Sequence, residues 1–178
     1  GGLRLHAVLP PLAAEGPLIS LRAHRQVSYS LDELQEMGTL AGAVRPIVDA
    51  MVESKANVIV SGATGSGKTT LLSAILGEVS ASERILVIEE SSELRPAHPH
   101  VVHLQIRRAN VQGKGEVTMS ELVRAAMRMR PDRIVLGECR GAEVRDVLSA
   151  LNTGHEGGWA TVHANSAADV PARLVALG

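Results

Sequence analysis

Phenylalanine is absent from the 178 residues, and Tyr29 and Trp159 are the only aromatics. Any core must therefore be aliphatic, and the stacking platforms that hold single-stranded nucleic acid are missing. Cysteine occurs once, at Cys139, which excludes an internal disulfide and a cysteine-based zinc site and fits a reducing compartment. Neither sign of charge is in excess: 18 Lys+Arg stand against 19 Asp+Glu, a net charge of −1. No global basic field exists to attract nucleic acid or an anionic membrane, so any such contact would be local. No apolar run approaches the ~20 residues of a membrane-spanning helix. Internal repeats and low-complexity tracts are also lacking.

What is present is the composition of a globular protein, 45% hydrophobic and 21% charged. A chain this long can bury about 70% of its unfolded surface, enough for one substantial core. Gly1-Gly2 at the start, with no Met, and the halt at Gly178 just after an apolar segment that begins like a helix raise the expectation of a piece of a longer protein. Residues 3 to 29 alternate and turn like strands, with Leu3, Leu5 and Ala7 on one face and Pro10-Pro11 and Gly16-Pro17 as punctuation. Ser30 and Glu33 have capping-box spacing ahead of a short helix that Gly38 stops. Pro46 suits the first turn of a second helix with Ile47, Val48, Met51 and Val52 as its apolar stripe. From Asn57 the pattern changes. Short β-branched runs at 58–60, 85–88, 134–136 and 160–162 alternate with helical stretches at 68–77, 119–130 and 142–151, which predicts an α/β fold with a doubly wound, mostly parallel sheet.

Residues 62 to 69 read Gly-Ala-Thr-Gly-Ser-Gly-Lys-Thr, a complete match to G-x-x-x-x-G-K-[ST] between a predicted strand and a predicted helix. The chemistry requires a loop that wraps a polyphosphate with inward backbone N–H groups. Glycines, above all Gly65 and Gly67, allow the left-handed dihedrals and the close approach. Gly62, Ala63, Thr64, Gly65, Ser66, Gly67, Lys68, Thr69 and Thr70 are the expected nucleotide-binding residues. Lys68 should reach the β and γ phosphates of ATP, and the Thr69 hydroxyl should ligate Mg²⁺.

Hydrolysis needs acidic groups at the ends of neighbouring strands, and two runs end that way. One closes on Glu89-Glu90; the other, Ile134-Val135-Leu136-Gly137-Glu138, has Gly where a Walker B strand usually carries its Mg²⁺-organising Asp. In an open α/β sheet these strand ends face the ligand crevice. One carboxylate can polarise the attacking water and another can organise the metal's water shell, Glu138 and Glu90 through water; solvated strand ends are the plain alternative. His155 and His163, in Thr-Gly-His-Glu-Gly-Gly-Trp-Ala-Thr-Val-His-Ala-Asn, could report on a γ phosphate or simply be satisfied polar residues. The seven histidines show no compact metal-ligand pattern with Cys139.

Together these stretches resemble the secretion ATPase superfamily, the motors of type II and type IV secretion systems and type IV pili. GATGSGKTT is similar to its Walker A loop, ILVIEESSEL to its Asp box, RMRPDRIVLGECRG to its Gly-Glu form of Walker B, and TGHEGGWATVHANS to its His box. Residues 5–22 and the insertion at 100–132 most resemble the tight-adherence (Flp) pilus branch, with conjugative type IV ring ATPases next. The resemblance implies a RecA-like P-loop NTPase domain, residues 39–178 and C-terminally truncated. Before it would come part of a small β-rich or α+β N-terminal domain and linker, residues 1–38. It further implies a hexameric homo-oligomer, cytoplasmic and peripheral to the inner membrane, coupled to a platform protein there. On the same footing Glu89 looks like the activating carboxylate, Glu138 like the Walker B glutamate and His163 like the His-box phosphate contact. Arg22 resembles the arginine that reaches from the small domain toward phosphate, and Arg140 follows Glu138 in the GExRG element. The usual Glu-Asp of the Asp box is here Glu89-Glu90.

Arginine outnumbers lysine 15 to 3. Arg124 and Arg128 should share the outward face of a helix, as a solvated face or a subunit contact. Arg107, Arg108 and Lys114 form a basic group, but without aromatics and with balanced charge no direct nucleic acid contact is expected. The expected activity is Mg²⁺-dependent ATP hydrolysis powering a type IV or Flp-type pilus or a type II pseudopilus. The rivals are a conjugation-type secretion ATPase moving protein or DNA complexes, a nucleotide-gated module without turnover, and a nucleic acid translocase.

Overall fold

The computed structural model describes residues 3–23, 28–152 and 156–178. Strand β1 (Leu3–Val8) pairs antiparallel with β2 (Leu18–Ala23), the extended segments expected on either side of the Pro and Gly punctuation. The register Leu5↔Leu21 and Ala7↔Ile19 gathers the apolar side chains onto one face of this hairpin. That face is uncovered: Leu5 and Leu21 are 63% and 62% exposed.

Helix α1 (Leu31–Glu36) begins as its capping box predicts. The Ser30 N–H donates to Glu33 Oε2 at 2.7 Å and the Glu33 N–H to Ser30 Oγ at 3.1 Å. It ends at Met37, after which Gly38 turns the chain with φ of +72°. Leu31 and Leu34, in the stretch expected to be small domain and linker, are buried in one core with α2 (Arg45–Glu53) and α3 (Lys68–Gly77).

The main sheet has five parallel strands. They are β3 (Val58–Gly62), β4 (Ile85–Glu89), β5 (Val101–Gln105), β6 (Arg133–Cys139) and β7 (Trp159–His163), in the order β3-β7-β6-β4-β5. Every residue of β4 is buried, because both faces are covered. Ile85 and Val87 face the layer of α1, α2 and α3, while Leu86 and Ile88 face α4 (Met119–Met127) and α5 (Glu143–Asn152). This is the doubly wound arrangement expected from the alternating pattern.

Two details depart from the sequence expectation. β5 runs through the stretch taken as an insertion; as an edge strand it is only half-buried and carries His103 and Gln105, so it lacks the continuous apolar run that marks its neighbours. The helix expected over 119–130 stops at Met127, with Arg128 as its cap and Arg130 at φ of +51°. Arg124 and Arg128 are both on the exposed side, and Arg124 meets Asp146 of α5 at 3.3 Å. A short 3-10 turn leads into α6 (Val170–Leu177). Among the described residues no helix is long and apolar enough to cross a membrane.

Arg133 anchors the amino end of the central strand β6, away from the strand carboxyl ends. Only 1% exposed, it donates through Nε to Glu83 at 2.9 Å and through Nη2 to the Val52 carbonyl at 2.6 Å. Burial would raise the Glu83 carboxyl, but the Arg133 hydrogen bond and charge, with Lys55, hold it below the usual carboxylate range.

Candidate nucleotide site

The loop between β3 and α3 has the shape its glycines allow. Gly65 and Gly67 take φ of +75° and +91°, left-handed values that L residues with side chains rarely adopt. Gly62 lies close to the loop in another way: a Cβ there would lie 2.6 Å from Ser66 Oγ, so that hydroxyl would have to turn aside. Lys68 Nζ donates to the carbonyls of Gly62 and Ala63, each at 2.8 Å, so the lysine arches back over the loop. Thr69 and Thr70 follow in the first turn of α3, whose amino end carries unpaired N–H groups and the positive end of the helix dipole.

Across from this loop lie the carboxyl ends of β4 and β6. The two sides enclose a cavity of about 170 Å³, lined by Thr64, Gly65, Lys68 and Thr69 on one wall and by Glu89, Glu90, Glu138 and Arg140 on the other. The predicted acids and the predicted phosphate loop thus share one cleft. Glu89 is 4% exposed, and its Oε1 accepts the backbone N–H groups of Glu93 at 3.0 Å and Leu94 at 2.9 Å. His103 Nδ1 stands 3.9 Å from its Oε2.

Arg140 binds the other two carboxylates. It donates to Glu138 Oε2 through Nη2 at 2.5 Å and Nε at 2.9 Å, and to Glu90 Oε2 through Nη1 at 3.0 Å. The hydrogen bond to Glu138 raises the guanidinium further above its ordinary range, burial opposes it, and the charges of Glu138, Glu90 and Glu93 reinforce the rise. Glu90 and Glu138 are therefore held side by side, with one guanidinium offsetting half of their combined charge.

Arg22 projects from the hairpin into the mouth of the cleft, 3.6 Å from Glu93 Oε1. It also lines an adjoining cavity of about 280 Å³, together with Tyr29, Thr70, Ser73 and Arg95. His163, at the end of β7, has Nδ1 3.4 Å from Thr64 Oγ1 of the phosphate loop and does not line either cavity. His155 lies outside the described residues. The basic group at 107–114 is partly spent on its own loop, since the Arg107 guanidinium bonds the Gly115 carbonyl.

The cleft also contains residues that motif reading passed over. Thr161 donates from β7 to the Gly137 carbonyl at 2.5 Å, and Glu93 and Arg95 come from the turn after β4. Thr161 was within reach, because it is two residues before His163 on the same face of the same strand. Glu93 and Arg95 lie in an irregular turn that no periodicity marks.

The donor set fits a small hard cation. The Thr69 hydroxyl and the Glu90 and Glu138 carboxylates supply oxygen ligands in one cavity. Among the described residues no three acidic, His or Cys groups converge tightly enough to hold a metal by themselves. Mg²⁺ keeps much of its water and is bound through one or two carboxylates together with phosphate oxygens, so the hydroxyl and two carboxylates of this cavity are a set that it could use.

The family model described as "Type II/IV secretion system protein" matches residues 3–178. A protein of Mycobacterium tuberculosis named for conjugal transfer is 56% identical over 176 residues, which cover 99% of this chain and 50% of that protein. The conjugal transfer protein TrbB of Rhizobium radiobacter is 34% identical over 180 residues, covering 99% of this chain and 53% of TrbB. The X-ray structure of the Legionella pneumophila ATPase DotB superposes with a TM-score of 0.70 at 28% identity, over 99% of this chain and 46% of DotB. The chain spans about half the length of these curated relatives.

Proposed function

The chain belongs to the type II/IV secretion system protein family and has the RecA-like fold of that superfamily's ATPases, and from this we propose that the whole protein hydrolyses ATP with Mg²⁺ to power a secretion or pilus machine. One observation carries the reading: the phosphate loop at 62–69 and three carboxylates from distant strand ends line the same cavity.

In this mechanism the loop N–H groups and Lys68 hold the β and γ phosphates. The Thr69 hydroxyl, with Glu138 and Glu90 through water, would hold Mg²⁺, and the ion would supply positive charge against that of the phosphates. Glu89 orients and polarises the attacking water. His163, through Thr64, senses the loop's state. Arg22 and Arg140 offset charge that grows on the departing phosphates, and Arg22 does so from the hairpin, so hydrolysis is linked to the hairpin's position over the cleft.

The machine we propose is a type IV or Flp-type pilus, or a type II pseudopilus. The support is the similarity of residues 5–22 and 100–132 to the tight-adherence branch. The working form would be a homo-oligomeric ring, a hexamer, on the cytoplasmic side of the inner membrane against a platform protein. A second reading, a conjugation-type type IV secretion ATPase, is favoured by the names of the relatives at 56% and 34% identity.

Phosphate release by the whole protein tests the activity. Turnover is expected with ATP and Mg²⁺ and should be abolished by EDTA; nucleotide binding without release would leave a nucleotide-gated module instead. Deleting the gene separates the two machines: loss of surface pili with conjugation intact supports the first, and the reverse supports the second.

A further inference from the structure

Gly137 occupies the place on β6 where a Walker B strand would ordinarily present an acid, and the structure gives a steric reason for the glycine. A Cβ built there would lie 2.7 Å from Glu89 Cγ and 3.2 Å from Glu89 Oε1. The first distance is shorter than real Cβ contacts allow. Ordinarily a flexible side chain would swing aside. Glu89 has little freedom to do so, because the atom in conflict is mid-chain, the residue is 4% exposed, and its carboxylate is tied to the Glu93 and Leu94 N–H groups.

The backbone of Gly137 is also tied to its surroundings. Its carbonyl accepts the Thr161 hydroxyl at 2.5 Å, and Leu136, just before it, is paired with Ile88 of β4 on one side and Ala160 of β7 on the other. Pairing with β7 slips at this point: Leu136 is opposite Ala160 and Cys139 is opposite Val162. Gly137 and Glu138 therefore face Thr161 alone, a bulge of the kind that re-aims side chains beside active sites.

We infer that Gly137 is a positioning residue whose bare backbone admits the Glu89 side chain across β6, so that the carboxylate over this strand is supplied by β4 and not by residue 137. The ground above β6 holds one side chain. A residue with a Cβ at 137 and a seated Glu89 exclude each other. The bulge then turns the next residue, Glu138, toward Arg140 and the cleft. This inference rests on the reading that the cleft takes Mg·ATP, and its test separates the two.

The experiment uses the whole protein and three variants: Gly137→Ala, Glu89→Ala and the pair combined. Each is measured by thermal melting, by binding of a fluorescent ATP analogue in EDTA, and by phosphate release. Gly137→Ala is expected to lower the melting temperature by several degrees through overpacking. In that background Glu89→Ala, which removes the clashing Cγ, should raise it again, although Glu89→Ala alone does not stabilise. Gly137→Ala should also keep nucleotide affinity in EDTA within about threefold while phosphate release drops at least tenfold, since the loop is untouched and only the carboxylate moves. A second pair, Gly137→Asp with Glu89→Ala, returns a carboxylate to the same ground from β6. It is expected to recover more phosphate release than Glu89→Ala alone, and no recovery would count against the carboxylate being what that ground must hold.

Wild-type melting and turnover in Gly137→Ala would overturn the inference. So would melting temperatures of the two Ala substitutions that simply add, because a direct clash must appear as coupling between the sites. Failure of the unmodified protein to bind the ATP analogue would instead overturn the nucleotide reading, while the melting comparison would still decide the steric claim.

Discussion

One wall of the cleft is a single stretch, residues 62–70, and its form follows from local backbone freedom at Gly65 and Gly67 and the close approach at Gly62. The facing wall is gathered from afar: Glu89 and Glu90 from the end of β4, Glu138 and Arg140 from the end of β6, and Arg22 from the hairpin. The first wall depends on which dihedrals the chain can adopt. The second depends on the sheet order β6-β4 and on the side-chain volume between those strands. Damage to the loop should therefore weaken binding, whereas damage to the acid wall should largely spare binding and impair chemistry.

The largest effect should come from setting Lys68→Ala against Glu138→Gln. Loss of the lysine removes charge-assisted contacts to phosphate and is expected to weaken nucleotide binding roughly 10–100-fold. Glu138→Gln keeps shape and should leave affinity within about threefold while phosphate release falls about 100-fold. Equal losses of affinity in both would break the division between the walls. Nucleotide titration alongside phosphate release gives the answer.

A smaller effect is expected from Arg140→Ala. Without the guanidinium, Glu90 and Glu138 present two negative charges to an anionic ligand where the trio presents one, so affinity should fall about threefold at low ionic strength. Because Arg140 is more than half exposed, the difference should shrink as salt is added. A loss that salt leaves unchanged would mean that Arg140 contacts the nucleotide directly.

The smallest effect concerns Cys139, which lies beneath the acid wall. Burial, with the charges of Glu143 and Glu138, pushes its thiol from 9.0 up to about 12. A pKa raised by folding means the folded state favours the protonated thiol. Its contribution to stability is thus complete below the ordinary thiol value and is lost as the pH climbs from 9.0 toward 12. Melting curves across that range should decline less steeply in Cys139→Ala. At pH 8 the folded protein should resist thiol reagents, and labelling would report opening of the acid wall and not of the loop.

The same contrast explains what could be read in advance. The loop was legible because its residues are contiguous and each glycine has a local reason. Glu89 and Glu138 were legible as strand ends, and the sheet rule brought them to the same crevice. The Arg140 clamp was not, since its geometry depends on the bulge between Leu136 and Cys139, which leaves no periodic mark. β5 went unseen for a related reason: an edge strand alternates polar and apolar residues within a stretch that reads as loop. Gly137 was visible as an oddity on a strand, but only the Glu89 side chain lying across it gives that oddity a cause.

The pairing of β3 with β7 has a consequence for the order of events during translation. Among the described residues β7 is the sole strand hydrogen-bonded to β3, so the segment leading into the phosphate loop waits for a partner made about a hundred residues later. At ordinary ribosomal rates that delay is roughly 5–20 s, during which Ile85 to Ile88 and their neighbours can already associate. The strand that leads into the phosphate loop should therefore be fixed abruptly and late, once His163 has cleared the exit tunnel.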